Sequence, residues 1–236
     1  MDDIARMLSG IDGGRVLDVA TQEGHFVQVL MKNLKTCSEI VGIDINVQAI
    51  ETARSNIEYS GVQFLVMNAE QLAFENQSFD TVNISASLHH IANIPQVLNE
   101  MDRVLKPGGH FIIVEMIRDG QTEPELTSVY LHQWVAEADT ALGFLHNKTL
   151  PRQEFVSCAA DLGLSNVEYY DFLDRDSDPK GEARIEQLEG LIGRAIQRTE
   201  GISSYAKLKE RGDELRQRLH SVGAQREPII IVVGNK

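Results

Sequence analysis

Short, apolar, β-branched runs alternate with segments of helical periodicity from Arg15 onward. A strand that helices cover on both faces is continuously apolar, and repeated strand–helix units build a parallel sheet. The runs in the first half of the chain span residues 15–19, 39–45, 62–67, 81–85 and 110–115. They predict an α/β fold with a doubly wound, mostly parallel sheet.

Helical segments fill the gaps between these strands. Between the first two strands, apolar residues recur at helical spacing, namely Phe26, Val27, Leu30, Met31 and Leu34. Asn46 and Asn93 can each cap the helix that follows, and we expect those helices to reach about Ser55 and Leu105. The sequence Lys-Pro-Gly-Gly at 106–109 is predicted to stop the second of them.

The second half of the chain is predicted to be mainly helical. Helices are expected over 124–142, 151–163, 182–198 and 204–220. Strands are expected over 166–173 and 228–233, which brings the sheet to seven strands. The last two helices therefore form an insertion before the final strand.

The charge balance limits the partners of the chain. The formal net charge is −13, so a polyphosphate would meet a repulsive field and we expect no nucleic-acid partner. No apolar run approaches the roughly 20 residues of a membrane-spanning helix. Cys37 and Cys158 are too few for a disulfide framework, and we expect the acidic N-terminal sequence not to act as a signal peptide. We expect a cytoplasmic protein.

Polar or small residues follow three successive predicted strands. The first strand leads into Asp18-Val19-Ala20-Thr21-Gln22-Glu23-Gly24, the second ends at Asp44, and the third is followed by Asn68-Ala69-Glu70. Ligands of open parallel sheets bind beyond the carboxyl ends of the strands, and an acidic residue after the second strand can hold ribose hydroxyls. The residues predict a nucleoside-binding edge. The other interpretation is that they are ordinary polar residues of strand–helix loops.

Five segments, in order, resemble the motifs of class I S-adenosylmethionine-dependent methyltransferases. The segments are VLDVATQEG, VGIDIN, NAEQLAFENQSFDTV, SASLHHI and RVLKPGG. The resemblance covers residues 15–115 and is nearest to the branch of ubiquinone- and menaquinone-biosynthesis enzymes that methylate small molecules. It implies a Rossmann-like methyltransferase fold, S-adenosylmethionine as cofactor, S-adenosylhomocysteine as product and a small-molecule methyl acceptor.

The resemblance also implies a set of cofactor-binding residues. They are Asp18, Ala20, Thr21, Gln22, Gly24, Asp44, Ile45, Asn68, Ala69, Glu70, Ser85 and Leu88. Asp18 would neighbour the amine of the methionine end, Asp44 would hold the ribose, and Asn68 would contact the adenine amino group.

The apolar and small members of this set have implied roles as well. Ala20 and Gly24 would let the cofactor approach the backbone. Ile45 and Ala69 would lie beside the adenine. Ser85 and Leu88 would lie beside the methionine part of the cofactor. Ala20 and Gln22 stand where the family usually has glycines, and Asn68 stands in place of an aspartate.

Two histidines follow the fourth predicted strand, at the mouth of the expected site. Histidine can remove a proton from an acceptor hydroxyl or ammonium near neutral pH. His89 and His90 are therefore candidate catalytic residues, with His90 the preferred base. The alternative is that they only shape the loop.

An acceptor pocket is expected from the helices over 116–165. Tyr130 and Trp134 share a helix face there, although such a face commonly packs in a core; Arg118 and His146 are further candidates. A metal site could be formed by four histidines, His89, His90, His132 and His146. Their spacing matches no zinc motif, so we expect no metal.

The whole chain, 1–236, is predicted to be one domain. Residues 15–115 would bind the cofactor, and the insertion at 179–222 would be a lid over the acceptor or an arm for a homodimer.

Two other functions share parts of this pattern. A nicotinamide dehydrogenase would need a glycine-rich phosphate loop, whereas Glu23 would place a negative charge beside the pyrophosphate. A cofactor-binding sensor or assembly protein without transferase activity is the second alternative, and Gln22 motivates it.

Overall fold

The structure is a computed structural model that describes residues 2–174 and 176–236. Met1 and Arg175, which belong to the predicted domain 1–236, lie outside the described residues. The chain divides into two compact units. The first contains the residues up to Glu115, Gln153–Phe172 and Ile230–Lys236, and the second contains Met116–Arg152 and Leu173–Ile229.

The strands belong to one sheet, which has seven strands over the described residues. Their bounds are β1 Arg15–Val19, β2 Glu39–Asp44, β3 Val62–Val66, β4 Phe79–Ser85, β5 Leu105–Met116, β6 Ser165–Phe172 and β7 Ile229–Asn235.

The α-helices flank these strands in the chain. Their bounds are α1 Asp2–Leu8, α2 His25–Asn33, α3 Val47–Asn56, α4 Ile94–Val104, α5 Glu123–Ala141, α6 Arg152–Ala160, α7 Glu182–Arg198 and α8 Tyr205–Val222. A short 3₁₀ turn covers Leu88–His90.

The strand order is β3-β2-β1-β4-β5-β7-β6. The pairs β3–β2, β2–β1, β1–β4 and β4–β5 are all parallel. The chain leaves β1 towards β2 on one side and returns to β4 on the other, so the direction of winding reverses at β1. The doubly wound α/β class with a helical insertion before the last strand is confirmed.

Both predicted asparagine caps are present. The Asn46 side chain accepts hydrogen bonds from the backbone N–H groups of Gln48 and Ala49, and the Asn93 side chain accepts one from Gln96. These bonds satisfy amide groups that the first turn of a helix leaves without partners.

The start of β5 differs from the prediction. The fifth strand was expected to begin at His110, with residues 106–109 as a stop, but β5 begins at Leu105 directly after α4. Leu105 pairs with Phe79 before the register shifts and resumes at Thr81 and His110. Positive φ at Gly108 allows this irregular stretch to stay in the strand, which a reading of Pro-Gly as a breaker misses.

The core of the first unit is formed by the central strands. Val16, Leu17, Val82, Ile84 and Ile112 are fully buried. Burying each such side chain contributes about 1.5–3 kcal/mol. This core holds the ends of β1 and β4 at a fixed separation.

The second unit has its own core around Trp134. The indole is fully buried, packs with α7 and α8, and donates a hydrogen bond of 2.9 Å from Nε1 to the carbonyl oxygen of Leu208. Tyr130 keeps 38% of its surface exposed, and the guanidinium of Arg218 lies 5.2 Å from its ring centre. The interpretation of Trp134 as a core residue is the correct one.

Across the described residues, none of the helices combines the length and apolar character that crossing a membrane would demand.

A glycine on α8 is expected to be essential for packing around Trp134. A Cβ at Gly212 would lie 2.8 Å from Trp134 Cζ2, whereas a Cβ at Gly193 on α7 meets nothing within 4 Å. Overpacking costs about 1–3 kcal/mol, and helix propensity favours alanine over glycine by about 1 kcal/mol. Urea unfolding should show that Gly193→Ala stabilises the protein and Gly212→Ala does not. Equal stabilisation by both variants would contradict this packing.

Candidate functional site

A cavity of about 310 Å³ opens beside the turn between β1 and α2. Its lining consists of Asp18, Ala20, Thr21, Gln22, His25, Phe26, Val29, Ser85 and Ala86. Ligand pockets usually measure about 300–1,000 Å³. The cavity therefore suits one end of a nucleoside-sized ligand.

Asp18 is the most constrained group of this cavity. Its carboxylate is 1% exposed and accepts hydrogen bonds from Thr21 Oγ1 and Asn83 Nδ2, each 2.5 Å long. Burial raises the pKa of Asp18 from its usual 3.8 to about 6, although the bonds from Thr21 and Asn83 act in the opposite direction. The nearby charge of the Asp44 carboxylate contributes to this rise in the pKa. A ligand cation at Asp18 would relieve this cost of burial.

Three residues that line the cavity have left-handed backbone conformations. Ala20, Gln22 and Ala86 have φ values of 54°, 49° and 47°. This conformation costs about 1–2 kcal/mol for a residue with a β-carbon. The positions where the family usually has glycines, 20 and 22, therefore have the backbone conformation that glycine favours, although other residues occupy them.

Gly24 is also required for packing, a reason that the sequence did not predict. It precedes α2 with φ 82°, and a Cβ there would lie 2.8 Å from Ile57 Cδ1 and 3.1 Å from Phe64 Cζ. Because Gly24 has no Cβ, the side chains of Ile57 and Phe64 can pack directly against its backbone.

The carboxylate of Asp44 is held at the end of β2 by backbone amides. Its Oδ2 accepts from the N–H of Gln22 at 3.0 Å, and its Oδ1 accepts from the N–H of Asn46 at 2.8 Å. Each carboxylate oxygen can accept a second bond. Ile45, the next residue, is 69% exposed and offers a bare apolar surface beside this acceptor pair.

The segment after β3 forms a compact turn. Asn68 is exposed, and its Oδ1 accepts from the backbone N–H of Glu70 at 2.9 Å. The carbonyl oxygen of Glu70 accepts from Gln96 Nε2 at 3.0 Å. Ala69 is half-buried between them. The amide oxygen of Asn68 thus makes one bond in its own turn and has a second lone pair for another donor.

The last residue of β4 and the segment after it carry the remaining predicted residues. Ser85 lines the cavity, whereas Leu88 is buried. His89 is buried with Nδ1 3.1 Å from Glu115 Oε1, and Glu115 Oε2 accepts from the backbone N–H of Leu88. His90 is exposed. Glu115 therefore fixes the 3₁₀ turn that presents His90 to solvent.

Sequence reasoning missed four residues that line the cavity: His25, Phe26, Val29 and Ala86. Phe26 was predicted only as one of the apolar residues at helical spacing on α2, and Val27 and Leu30 are the buried members of that set. The sequence did contain a signal for the residues at the start of α2. They directly follow the loop at the end of a strand, and the N-terminus of such a helix faces the ligand.

The candidates for the acceptor pocket belong to the second unit. Trp134 lies in the core and Tyr130 is partly exposed on the same helix. His146 is 8% exposed, with Nδ1 2.8 Å from Asp139 Oδ2. Arg118 is half-buried, and its backbone N–H donates to the carbonyl oxygen of Leu150. That these residues contact an acceptor stays a prediction.

Comparison with known proteins places the chain among methyltransferases. The model of a methyltransferase domain family matches residues 11–163. The ubiquinone/menaquinone biosynthesis C-methyltransferase UbiE of Bartonella bacilliformis is 28% identical over 179 residues, which cover 69% of this chain and 68% of that protein. The homologue of the same name from Hydrogenovibrio crunogenus is 34% identical over 52% of this chain and 50% of its own length. The chain thus spans about half to two thirds of these relatives.

A solved structure shares the fold. Phosphoethanolamine N-methyltransferase 2 of Haemonchus contortus, in complex with phosphomonomethylethanolamine and S-adenosylhomocysteine, matches with a TM-score of 0.60. It is 16% identical, and the alignment covers 99% of this chain and 51% of that one.

Two alanine-to-glycine substitutions test whether the turn is strained, because they should change the free energy of unfolding in opposite directions. Ala20→Gly should raise the free energy of unfolding by about 1 kcal/mol, because it removes the left-handed strain of a β-carbon. Ala49→Gly, inside α3, should lower it by about 1 kcal/mol through lost helix propensity. Denaturant titration of both variants checks this. A loss of stability in Ala20→Gly as large as that in Ala49→Gly would show that the turn is unstrained.

Proposed function

The chain belongs to the methyltransferase-domain family of S-adenosylmethionine-dependent enzymes, and from this premise we propose that it methylates a small-molecule acceptor. The observation that carries the proposal is the pair of carboxylates at the ends of adjacent strands. Asp18 lines a cavity of about 310 Å³, and Asp44 stands at the exposed end of β2. An ammonium at one end of a ligand and ribose hydroxyls in its middle match these two acceptors.

The residues present fit S-adenosylmethionine. Asp18 would accept hydrogen bonds from the methionine ammonium. Asp44 would accept from the ribose hydroxyls with the lone pairs that its bonds from Gln22 and Asn46 leave. Ile45, 69% exposed, would supply an apolar face for the adenine, and Asn68 would accept a hydrogen bond from the adenine amino group. The cofactor contributes a methyl group activated by the positive sulfur, so the protein has chiefly to align the acceptor in line with the breaking bond.

The transfer step requires few groups of the protein. When bound, S-adenosylmethionine would supply its methyl group to a lone pair of the acceptor, and the electrons of the carbon–sulfur bond would stay on sulfur in S-adenosylhomocysteine. If the acceptor is a hydroxyl or ammonium group, its proton passes to a base. His90 is the proposed base because its ring is exposed after β4, whereas His89 is buried against Glu115.

A small-molecule acceptor is supported by the relatives and by charge. The matched relatives are named for steps of ubiquinone and menaquinone biosynthesis. The formal net charge of −13 opposes a nucleic-acid substrate. The cytoplasmic location and the homodimer stay predictions.

Calorimetry with a matched pair of variants tests the cofactor site. The wild-type chain should bind S-adenosylmethionine and S-adenosylhomocysteine. Asp44→Asn should weaken binding about 10- to 100-fold, since hydrogen bonds to a charged group contribute about 1.5–3 kcal/mol. Asp12→Asn is the control, because that exposed carboxylate pairs with Lys35 and takes no part in the site. Equal affinity of Asp44→Asn and wild type would remove Asp44 from the site.

Transfer is then measured with S-adenosylmethionine labelled in the methyl group and a panel of small quinol, amine and hydroxyl compounds. Label in an organic product supports the enzyme. Tight binding of the cofactor without transfer to any class of the panel would favour the sensor alternative and contradict the proposed acceptor class.

A further inference from the structure

The imidazole rings of two histidines meet edge to face in the second unit, and neither residue belongs to a segment that resembles a methyltransferase motif. His132 lies on α5, and His146 lies in the segment that follows α5. Their Nε2 atoms are 3.3 Å apart, and the ring centres are 4.9 Å apart at 74°. The two nitrogen atoms are therefore directed at the same small volume.

A carboxylate and a guanidinium fix the orientation of one ring. Asp139 Oδ2 is 2.8 Å from His146 Nδ1, and Asp139 Oδ1 accepts a 2.7 Å hydrogen bond from Arg198. His146 Nδ1 carries the proton in this arrangement, because a carboxylate accepts. Its Nε2 then presents a lone pair towards His132. A carboxylate on the far nitrogen is the arrangement that orients metal-binding histidines and raises their basicity.

The turn after α5 holds His146 in place. Gly143, with φ 90°, ends the helix, and the backbone N–H of Phe144 returns to the carbonyl oxygen of Asp139 at 2.9 Å. The hydroxyl of Thr140 reaches the carbonyl oxygen of His146 at 3.4 Å. The pair is thus set by the fold of the helix end rather than by a chance contact of mobile side chains.

The separation of the two nitrogens has a specific chemical meaning. Zinc–nitrogen bonds are about 2.0–2.1 Å long and meet at tetrahedral angles, which places two imidazole nitrogens about 3.3–3.4 Å apart. The 3.3 Å between the two Nε2 atoms is compatible with two nitrogens that share one ion, and it also lies within hydrogen-bond distance.

We propose that His132 and His146 bind a divalent first-row transition-metal ion through their Nε2 atoms, with Asp139 and Arg198 as positioning residues. Imidazole ligands favour zinc, nickel, copper and cobalt over magnesium or calcium. Two protein nitrogens leave coordination positions for water or for an oxygen or nitrogen atom of a small ligand. The metal proposal does not rest on the proposed cofactor site, and separate experiments test the two.

The sequence prediction of no metal would be revised by this proposal. The prediction relied on motif spacing, and thirteen residues separate His132 from His146 in the sequence. Asp139, which connects the pair to Arg198, could not be recognised from spacing at all.

The experiment titrates the full chain, stripped with a chelator, with Co²⁺ and Zn²⁺. Calorimetry gives the stoichiometry, and the visible spectrum of cobalt reports nitrogen coordination. We expect one ion per chain. His132→Gln and His146→Gln should each lower the affinity at least tenfold, and Asp139→Asn should lower it about 10- to 100-fold.

The matched control is His220→Gln. His220 also lies 2.8 Å from a carboxylate, that of Glu189, but its side chain is 59% exposed and belongs to α8. It should leave metal affinity unchanged. Far-UV circular dichroism and affinity for S-adenosylhomocysteine establish that each variant is folded.

Three results would overturn the proposal. One is no stoichiometric binding by the wild-type chain, in which case the two rings share only a hydrogen bond. Another is unchanged affinity in His132→Gln and His146→Gln. The third is an equal loss in His220→Gln, which would indicate surface binding. If a histidine variant does not fold, the wild-type titration and Asp139→Asn still decide.

Discussion

The buried carboxylate of Asp18 is the constraint on which the candidate site depends. Asp18 is the second-last residue of β1, and its carboxylate accepts hydrogen bonds from Thr21 in the turn that follows and from Asn83 on the neighbouring strand β4. One side chain therefore connects the turn to both sides of the crevice where the winding of the sheet reverses. Burial makes its charge unfavourable, as the raised pKa of about 6 shows. A cationic ligand is the natural counterpart of such a group.

Backbone strain accumulates at the same place. Three of the residues that line the cavity have positive φ without being glycine, and such strain commonly lies at functional sites. The strained turn directs the N–H of Gln22 to Asp44, which links the first two strand ends. The positive φ angles of the turn thus reduce the stability of the fold. In return, the turn contacts the carboxylates of both Asp18 and Asp44.

Much of this could be predicted from the sequence. Apolar runs and asparagine caps located the strands and helices, because burial and capping are local properties of sequence. Asp18 and Asp44 were recognisable because strand ends meet at one edge. The sequence did not show that Phe26 and Val29 line the cavity. Helical periodicity shows which face of a helix is apolar, but it does not show whether that face packs on the sheet or borders a cavity. The contact of His132 with His146 depends on a turn geometry that no motif encodes.

Titration of the Asp18 carboxyl carbon by nuclear magnetic resonance, with and without S-adenosylhomocysteine, tests the central claim most directly. A folded pKa of about 6 against the usual 3.8 means that the stability Asp18 contributes is fully present below pH of about 4 and is lost as the pH rises through about 6. We predict titration near pH 6 in the free protein and a lower pKa once the ligand ammonium is bound. Titration near 3.8, unchanged by the ligand, would contradict the role of Asp18.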